Sequence, residues 1–335
     1  MLNLFQSIFG AGEQQNRHPE SLVSAAIERA VDGTDARLRA LPGYKKQLRQ
    51  SVLHAIDQVV TLVDGLPAPT LAERSNYNTD LLLKALFASA DRMQEILAND
   101  MTLRDFISGP GKGAERVYAL LLAERVEKNI LGMELAGDML RRDVQQVSIS
   151  FHNHRLIEPA ASEADTRRLL KKRAFDHLLT LALTRIAELK STRADLVRQR
   201  DLLERKLNAL KQGGWSFDMV ENAQPESESL AAELRDIETE LSKQGTDAGA
   251  LQGRLDILAD VLGHAEQQLW AEECILHLDN MNIRRDEKDI SAHRTDLQEL
   301  RNARGTRLAL LLVSLNPGEL PHRESMISAA GRYLI

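Results

Sequence analysis

Two stretches of the chain repeat apolar residues at alternating steps of four and three. The first carries Phe175, Leu179, Ala182, Ile186, Leu189, Arg193, Leu196, Arg200, Leu203, Leu207 and Leu210. The second carries Leu230, Leu234, Ile237, Leu241, Gln244, Ala248, Leu251, Leu255, Leu258, Leu262, Ala265 and Leu269. That is the period of a helical seam buried against another helix. Folded about position 220, the seams register, Leu210 with Leu230, Leu189 with Leu251 and Phe175 with Ala265. The pattern predicts an antiparallel coiled-coil arm over residues 161–273, with a tip loop at 213–225.

Upstream, a flexible terminus over 1–18 leads into apolar stripes of helical period. One helix opens at Pro19 and stops near Gly33; a second carries Leu48, Val52, Ile56, Val59 and Val63 and stops at Gly65. Asp80 is positioned to cap a third, and a strongly apolar helix is expected from about Ala114 to Leu140. These faces need one another, so 19–143 reads as a helical bundle. The period then changes to two: Val147, Ile149 and Phe151 alternate with Ser148, Ser150 and His152. Residues 144–160 and 274–335 are assigned to a small antiparallel sheet, including a hairpin of 297–301 with 307–315, whose second strand is central. The expected fold class is mainly α: an N-terminal helical bundle and a small antiparallel sheet from which the coiled-coil arm projects.

Charge supports the arm and removes one functional class. From Glu163 to Gly213 there are thirteen Lys and Arg against seven Asp and Glu; from Glu221 to Glu273 there are three against thirteen. The basic run Arg167, Arg168, Lys171, Lys172 and Arg173 then falls opposite Glu266, Glu272 and Glu273. Its charge is offset, and the net charge of −6 does not favour nucleic acid. The patch Arg37, Arg39, Lys45, Lys46 and Arg49 is read as an ordinary solvated face, with nucleic-acid binding as the weakest alternative. The single cysteine, Cys274, excludes an internal disulfide and fits a reducing compartment. No window approaches the ~18 apolar residues of a membrane span. The expectation is a cytoplasmic protein without a transmembrane span.

Candidate chemistry is sparse. Gly109-Pro110-Gly111-Lys112-Gly113 lacks the Ser or Thr after the lysine, and the preceding strand, that a phosphate loop requires. Positions two apart on a strand face one side, so His152 and His154 are candidate ligands for zinc or another divalent metal. The chain enters the arm from one strand and leaves it into another at 274–278, so these two strands are expected to be antiparallel neighbours, and His277 or Asp279 would then complete the set. The competing reading is a solvated sheet face with no cofactor. Cys274 with His277 is better explained as a packed thiol than as a nucleophile pair. In the arm, Arg193 and Arg200 occupy seam positions opposite Gln244, Gly245 and Gly249, with Glu240 and Asp247 nearby; this is a docking notch, an elbow or a register lock. Trp215 and Phe217 at the tip either plug the hairpin or contact a partner.

These features favour a non-enzymatic scaffold or adaptor that contacts another protein through the arm, at Arg193, Arg200, Trp215 and Phe217. A metal-dependent enzyme using His152 and His154 is the alternative.

Overall fold

A computed structural model describes residues 18–136, 139–212, 223–243, 247–302, 305 and 307–321. The elements in order are α1 (Glu20–Asp32), a 3₁₀ turn (Ala36–Ala40), α2 (Tyr44–Asp64), β1 (Thr70–Leu71), α3 (Arg74–Tyr77), α4 (Leu81–Leu86), α5 (Ala90–Asn99) and α6 (Met101–Ser108). There follow β2 (Val117–Ala136), β3 (Met139–Ala160), α7 (Glu163–Gln212), α8 (Ala223–Lys243), α9 (Asp247–Gly263), α10 (Ala265–Gln268), β4 (Leu269–Leu278), β5 (His293–Asn302), β6 (Arg307–Leu315) and a 3₁₀ turn at Pro317–Glu319. The chain divides into two units, Met1–Asp57 with Phe175–Ala265, and Gln58–Ala174 with Glu266–Ile335. Among the described residues, no helix is long and apolar enough to cross a membrane.

The first unit is helical. Pro19 precedes α1 and Gly33 ends it. A Cβ at Gly33 would stand 3.0 Å from Leu179 Cδ1 and 3.1 Å from the Arg29 carbonyl, so the missing side chain lets α1 close on α7. Arg29 grips both oxygens of Asp176 across the same contact. The apolar stripes Leu22, Val23 and Ile27 of α1, Leu48 and Val52 of α2, Phe175 to Ile186 of α7 and Leu255 to Leu262 of α9 supply the buried residues. Each fully buried Leu or Val contributes about 1.5–3 kcal/mol of transfer free energy. Asp35 caps the 3₁₀ turn through the Arg37 amide and pairs with Arg254 at 2.8 Å, tying the turn to α9.

The expected long coiled-coil hairpin is not what the structure shows. The described return limb is two helices, α8 and α9, and the buried seam residues concentrate near one end. Phe175, Leu179, Ala182 and Ile186 are buried, as are Leu255, Leu258, Leu262 and Ala265, while Leu189, Leu196 and Leu251 are half-exposed. Heptad spacing recorded the helical period but not how far a second helix covers it. The basic run makes ion pairs and hydrogen bonds elsewhere. Arg167 pairs with Glu163 and donates to the carbonyls of Val63, Leu66 and Pro67, capping the end of α2. Lys171 pairs with Asp64, Arg168 with Asp165 and Arg173 with Glu158.

The second unit overturns the mainly-α expectation, because the fold is mixed α+β around a six-stranded sheet of order β3-β2-β6-β5-β4. The main pairs are antiparallel; β1 joins β6 in parallel. The segment taken for a helix, Ala114 to Leu140, forms β2 and the start of β3. Its apolar run misled because β2 is buried on both faces. Val117, Ala119, Leu121 and Ala123 join the cluster of Leu83, Phe87, Met93, Leu97 and Leu103, while Leu120 and Leu122 pack with Val63, Leu66 and Leu170. A strand buried on both sides loses the alternation that identifies it. β6 is likewise buried at every position from Leu308 to Leu315 and is central, as its composition predicts. Side chains of Asp80, Ser89 and Asp100 cap α4, α5 and α6.

β3 and β4 are not neighbours, contrary to the expected pairing of the strands flanking the arm. They are the outer strands of the order, and the segment between β4 and β5 touches both, with isolated bridges from Ile283 to Ser148 and from Arg284 to Leu278. β3 also carries three bulges against β2, beside Asp143, Asn153 and Glu158, with φ of 58°, 52° and 51°. Each adds one residue to β3, increases local twist and reverses the side-chain alternation beyond it.

Candidate functional site

β6 accompanies β2 only from Val117 to Glu124. Beyond that point β2 and β3 continue together to Ala136 and Met139 as a two-stranded ribbon. The segment at Ile283 and Arg284 touches β3 near Val147 and Ser148 and goes no further along it. In β2 the odd positions Arg125, Glu127, Asn129, Leu131 and Met133 fall on one face; Val126, Lys128, Ile130 and Gly132 fall on the other. Leu131 is 68% exposed and Met133 61%. Gly132 leaves its backbone uncovered on one face. The Gln146 side chain lies across its backbone, with Nε2 donating to the Met133 carbonyl at 3.1 Å, and any Cβ at 132 would overlap that carboxamide. Two strands alone are marginal in water, and a strand edge left open is a template for pairing with further chain.

Where the ribbon leaves the sheet, a chain of charges fixes its root. Glu299 of β5 sits opposite Ala309 of β6, which sits opposite Ala123 of β2. Those two small residues leave room for Arg125, two positions on, to reach Glu299 at 2.8 Å. The Glu299 side chain is fully buried and that of Arg125 is 8% exposed. Arg125 also meets Glu127 at 3.3 Å, and Glu127 meets Arg284 at 2.7 Å. On the other side Arg301 reaches Glu272 at 2.9 Å and Glu299 at 3.5 Å, and the Trp270 indole donates to Glu272 at 2.7 Å. Three acids face three arginines. A charge removed from water here is sustained only by its partners, so the ladder resists rearrangement. The sequence carried one signal for it: Thr295, Leu297 and Glu299 share a strand face, and an acid continuing a buried face demands a cation. Arg125 was hidden by the helical reading of its segment.

Cys274 belongs to this cluster. Its Sγ accepts from Arg125 Nη1 at 3.0 Å. His277, three positions along β4, falls on the opposite face, so the two do not form a pair.

His152 and His154 are separated for a different reason. The bulge at Asn153 inserts one residue between them and turns their side chains to opposite faces. His154 stacks on Phe87 at 4.8 Å and its Nε2 donates to the Leu86 carbonyl at 2.8 Å. Burial pushes its pKa below the ordinary imidazole value. His152 is exposed, 3.0 Å from Ser150 Oγ. Asp279 is engaged by the amides of Met281 and Ile283 and by Arg285. Among the described residues, no group of three His, Cys, Asp or Glu is placed to hold a metal ion.

The remaining candidates disperse. Arg200 pairs along its own helix with Asp201 and Glu204, and Arg193 is half-exposed on α7. Trp215, Phe217, Gln244 and Gly245 lie outside the described residues. In the basic patch, Arg39 meets Glu28 and Asp32, Lys45 meets Glu28, Arg49 meets Glu20 and Arg37 meets Asp35. Lys45, then the Tyr44 hydroxyl and Arg39, hold the Glu28 carboxyl down to about 2. The GPGKG segment follows a helix and precedes a strand, the reverse of a phosphate loop. The amide of Gly111 closes on the Phe106 carbonyl at 2.8 Å, and the Phe106 ring occupies the space of a Cβ there.

No protein-family model, curated protein or solved structure matches this chain.

Proposed function

We propose that this protein is a non-enzymatic scaffold or adaptor that binds another protein chain through the β2–β3 ribbon. The observation that carries the reading is the exposure of Leu131 and Met133 on a ribbon that, among the described residues, has no third strand along β2 beyond Glu124. Two features support it. The root of the ribbon is held by the buried Arg125–Glu299 pair, so the exposed end is presented from a fixed base. The bulge at Asp143 adds local twist within the ribbon, which shapes the surface it presents.

Incorporation of a photo-crosslinking residue at Leu131 tests this reading. The control is Ile290, an equally apolar and fully exposed residue of the β4–β5 connection. In extract of the source cells, position 131 is expected to give discrete protein adducts that position 290 does not. Equal or absent crosslinking at the two sites contradicts the reading.

A further inference from the structure

We infer that the chain seated on the ribbon is a second copy of this protein, paired β2 to β2, antiparallel and centred on Leu131. The inference rests on the ribbon being an interaction surface, and it adds the identity of the partner.

The ribbon has two outer edges, and they differ. The β3 edge is interrupted by the bulge at Asp143, and Arg141 and Arg142 precede it. A bulge breaks regular pairing, and adjacent like charges oppose a second strand. Between Val126 and Gly132 the β2 edge carries no bulged residue, because the additional residues all lie on β3.

Antiparallel pairing of two β2 edges about Leu131 is self-complementary. Leu131 meets Leu131 of the second copy, and Asn129 meets Met133. On the other face Ile130 meets Gly132, and Lys128 stands in register with Glu134, once at each end of the contact. Opposite charges in cross-strand register contribute about 0.2–1 kcal/mol each, and like charges there are destabilising. Parallel pairing of the same edges in register would set Lys128 against Lys128 and Glu134 against Glu134. A shift of the antiparallel centre by one residue, to Ile130, would set Lys128 against Gly132 and leave Glu134 facing Val126. Only the centre at Leu131 satisfies both ends. The contact is two-fold and therefore closed: it joins two marginal two-stranded ribbons into one four-stranded sheet without propagating further.

The test is the mass of the full chain by sedimentation equilibrium, for wild type and two charge variants, with a disulfide readout at two cysteine positions. The wild type is expected to be a dimer, Lys128→Glu a monomer at the same concentration, and Lys128→Glu with Glu134→Lys a dimer again. Lys128 is exposed, so these changes leave the core intact, and circular dichroism checks it. Leu131→Cys is expected to form an intermolecular disulfide on mild oxidation, because two-fold related cross-strand positions approach to about 4.5–5.5 Å between Cβ atoms. Asn129→Cys, which faces Met133, is expected to form none. A monomeric wild type overturns the inference. So does a dimer unaffected by Lys128→Glu, or a charge-swapped pair that stays monomeric. A monomeric wild type that still gives adducts at Leu131 with a different protein overturns the second copy while retaining the interaction reading.

Discussion

Removing Arg125 is the most informative perturbation of the fold. Its guanidinium stands 2.8 Å from Glu299, whose side chain is fully buried. Without it, the nearest remaining cation is Arg301 at 3.5 Å, itself engaged by Glu272 at 2.9 Å. Breaking a buried pair by deleting one partner typically costs about 3–5 kcal/mol, because the other charge stays buried. Domain stabilities are about 5–15 kcal/mol, so Arg125→Met is expected to remove a large share of the total. Replacing both partners, Arg125→Met with Glu299→Met, removes the stranded charge as well. The double variant is expected to be more stable than either single one, with a coupling of about 0.5–3 kcal/mol. Equilibrium urea unfolding of the four proteins gives the cycle. A loss under about 1 kcal/mol for Arg125→Met, or additive single effects, would falsify the ladder as the anchor of the ribbon.

Three further outcomes follow from particular residues. Asn153 holds φ at 52°, so Asn153→Gly is expected to be near neutral by thermal unfolding and Asn153→Val to cost at least about 1–2 kcal/mol. Glu28 titrates at about 2 in the folded chain against an ordinary 4.5, so its contribution is present above pH 4.5 and lost as pH falls towards 2. Glu28→Gln should therefore flatten stability across that window in urea titrations at stepped pH. His154 has a lowered pKa, so below 6.5 the unfolded chain binds its proton more readily and stability falls with pH; His154→Gln should remove that slope between pH 6.5 and 5.

How legible the chain is depends on whether a side-chain pattern is written in one period. α1 and α2 could be read because each exposes one face: Leu48, Val52, Ile56, Val59 and Val63 repeat at three and four and are all buried. The end of β5 and the whole of β6 were legible as a hairpin, the second strand from its continuous apolar run. β2 was not. Its first half is buried on both faces, paired with distant β6, and rich in Leu and Ala, residues equally at home in a helix; its second half pairs with β3, which follows it directly. The histidine site failed on one residue, since a bulge at Asn153 reverses every facing argument beyond it and no local composition announces it. The Arg125–Glu299 pair spans residues far apart in the chain, and only the strand order brings them together. The ribbon surface was invisible for the same reason as β2, because a segment taken for a packed helix has no free edge.

Hydrogen exchange of the purified chain across a dilution series reads the pairing of the ribbon edge itself. In an unpartnered ribbon the amides of β2 that point away from β3 have only water to bond, so peptides covering Val126 to Gly132 exchange rapidly. These peptides are expected to become protected as concentration rises, while those covering Val117 to Ala123, flanked by β3 and β6 throughout, do not change. Identical exchange from Val126 to Gly132 at every concentration would contradict that pairing.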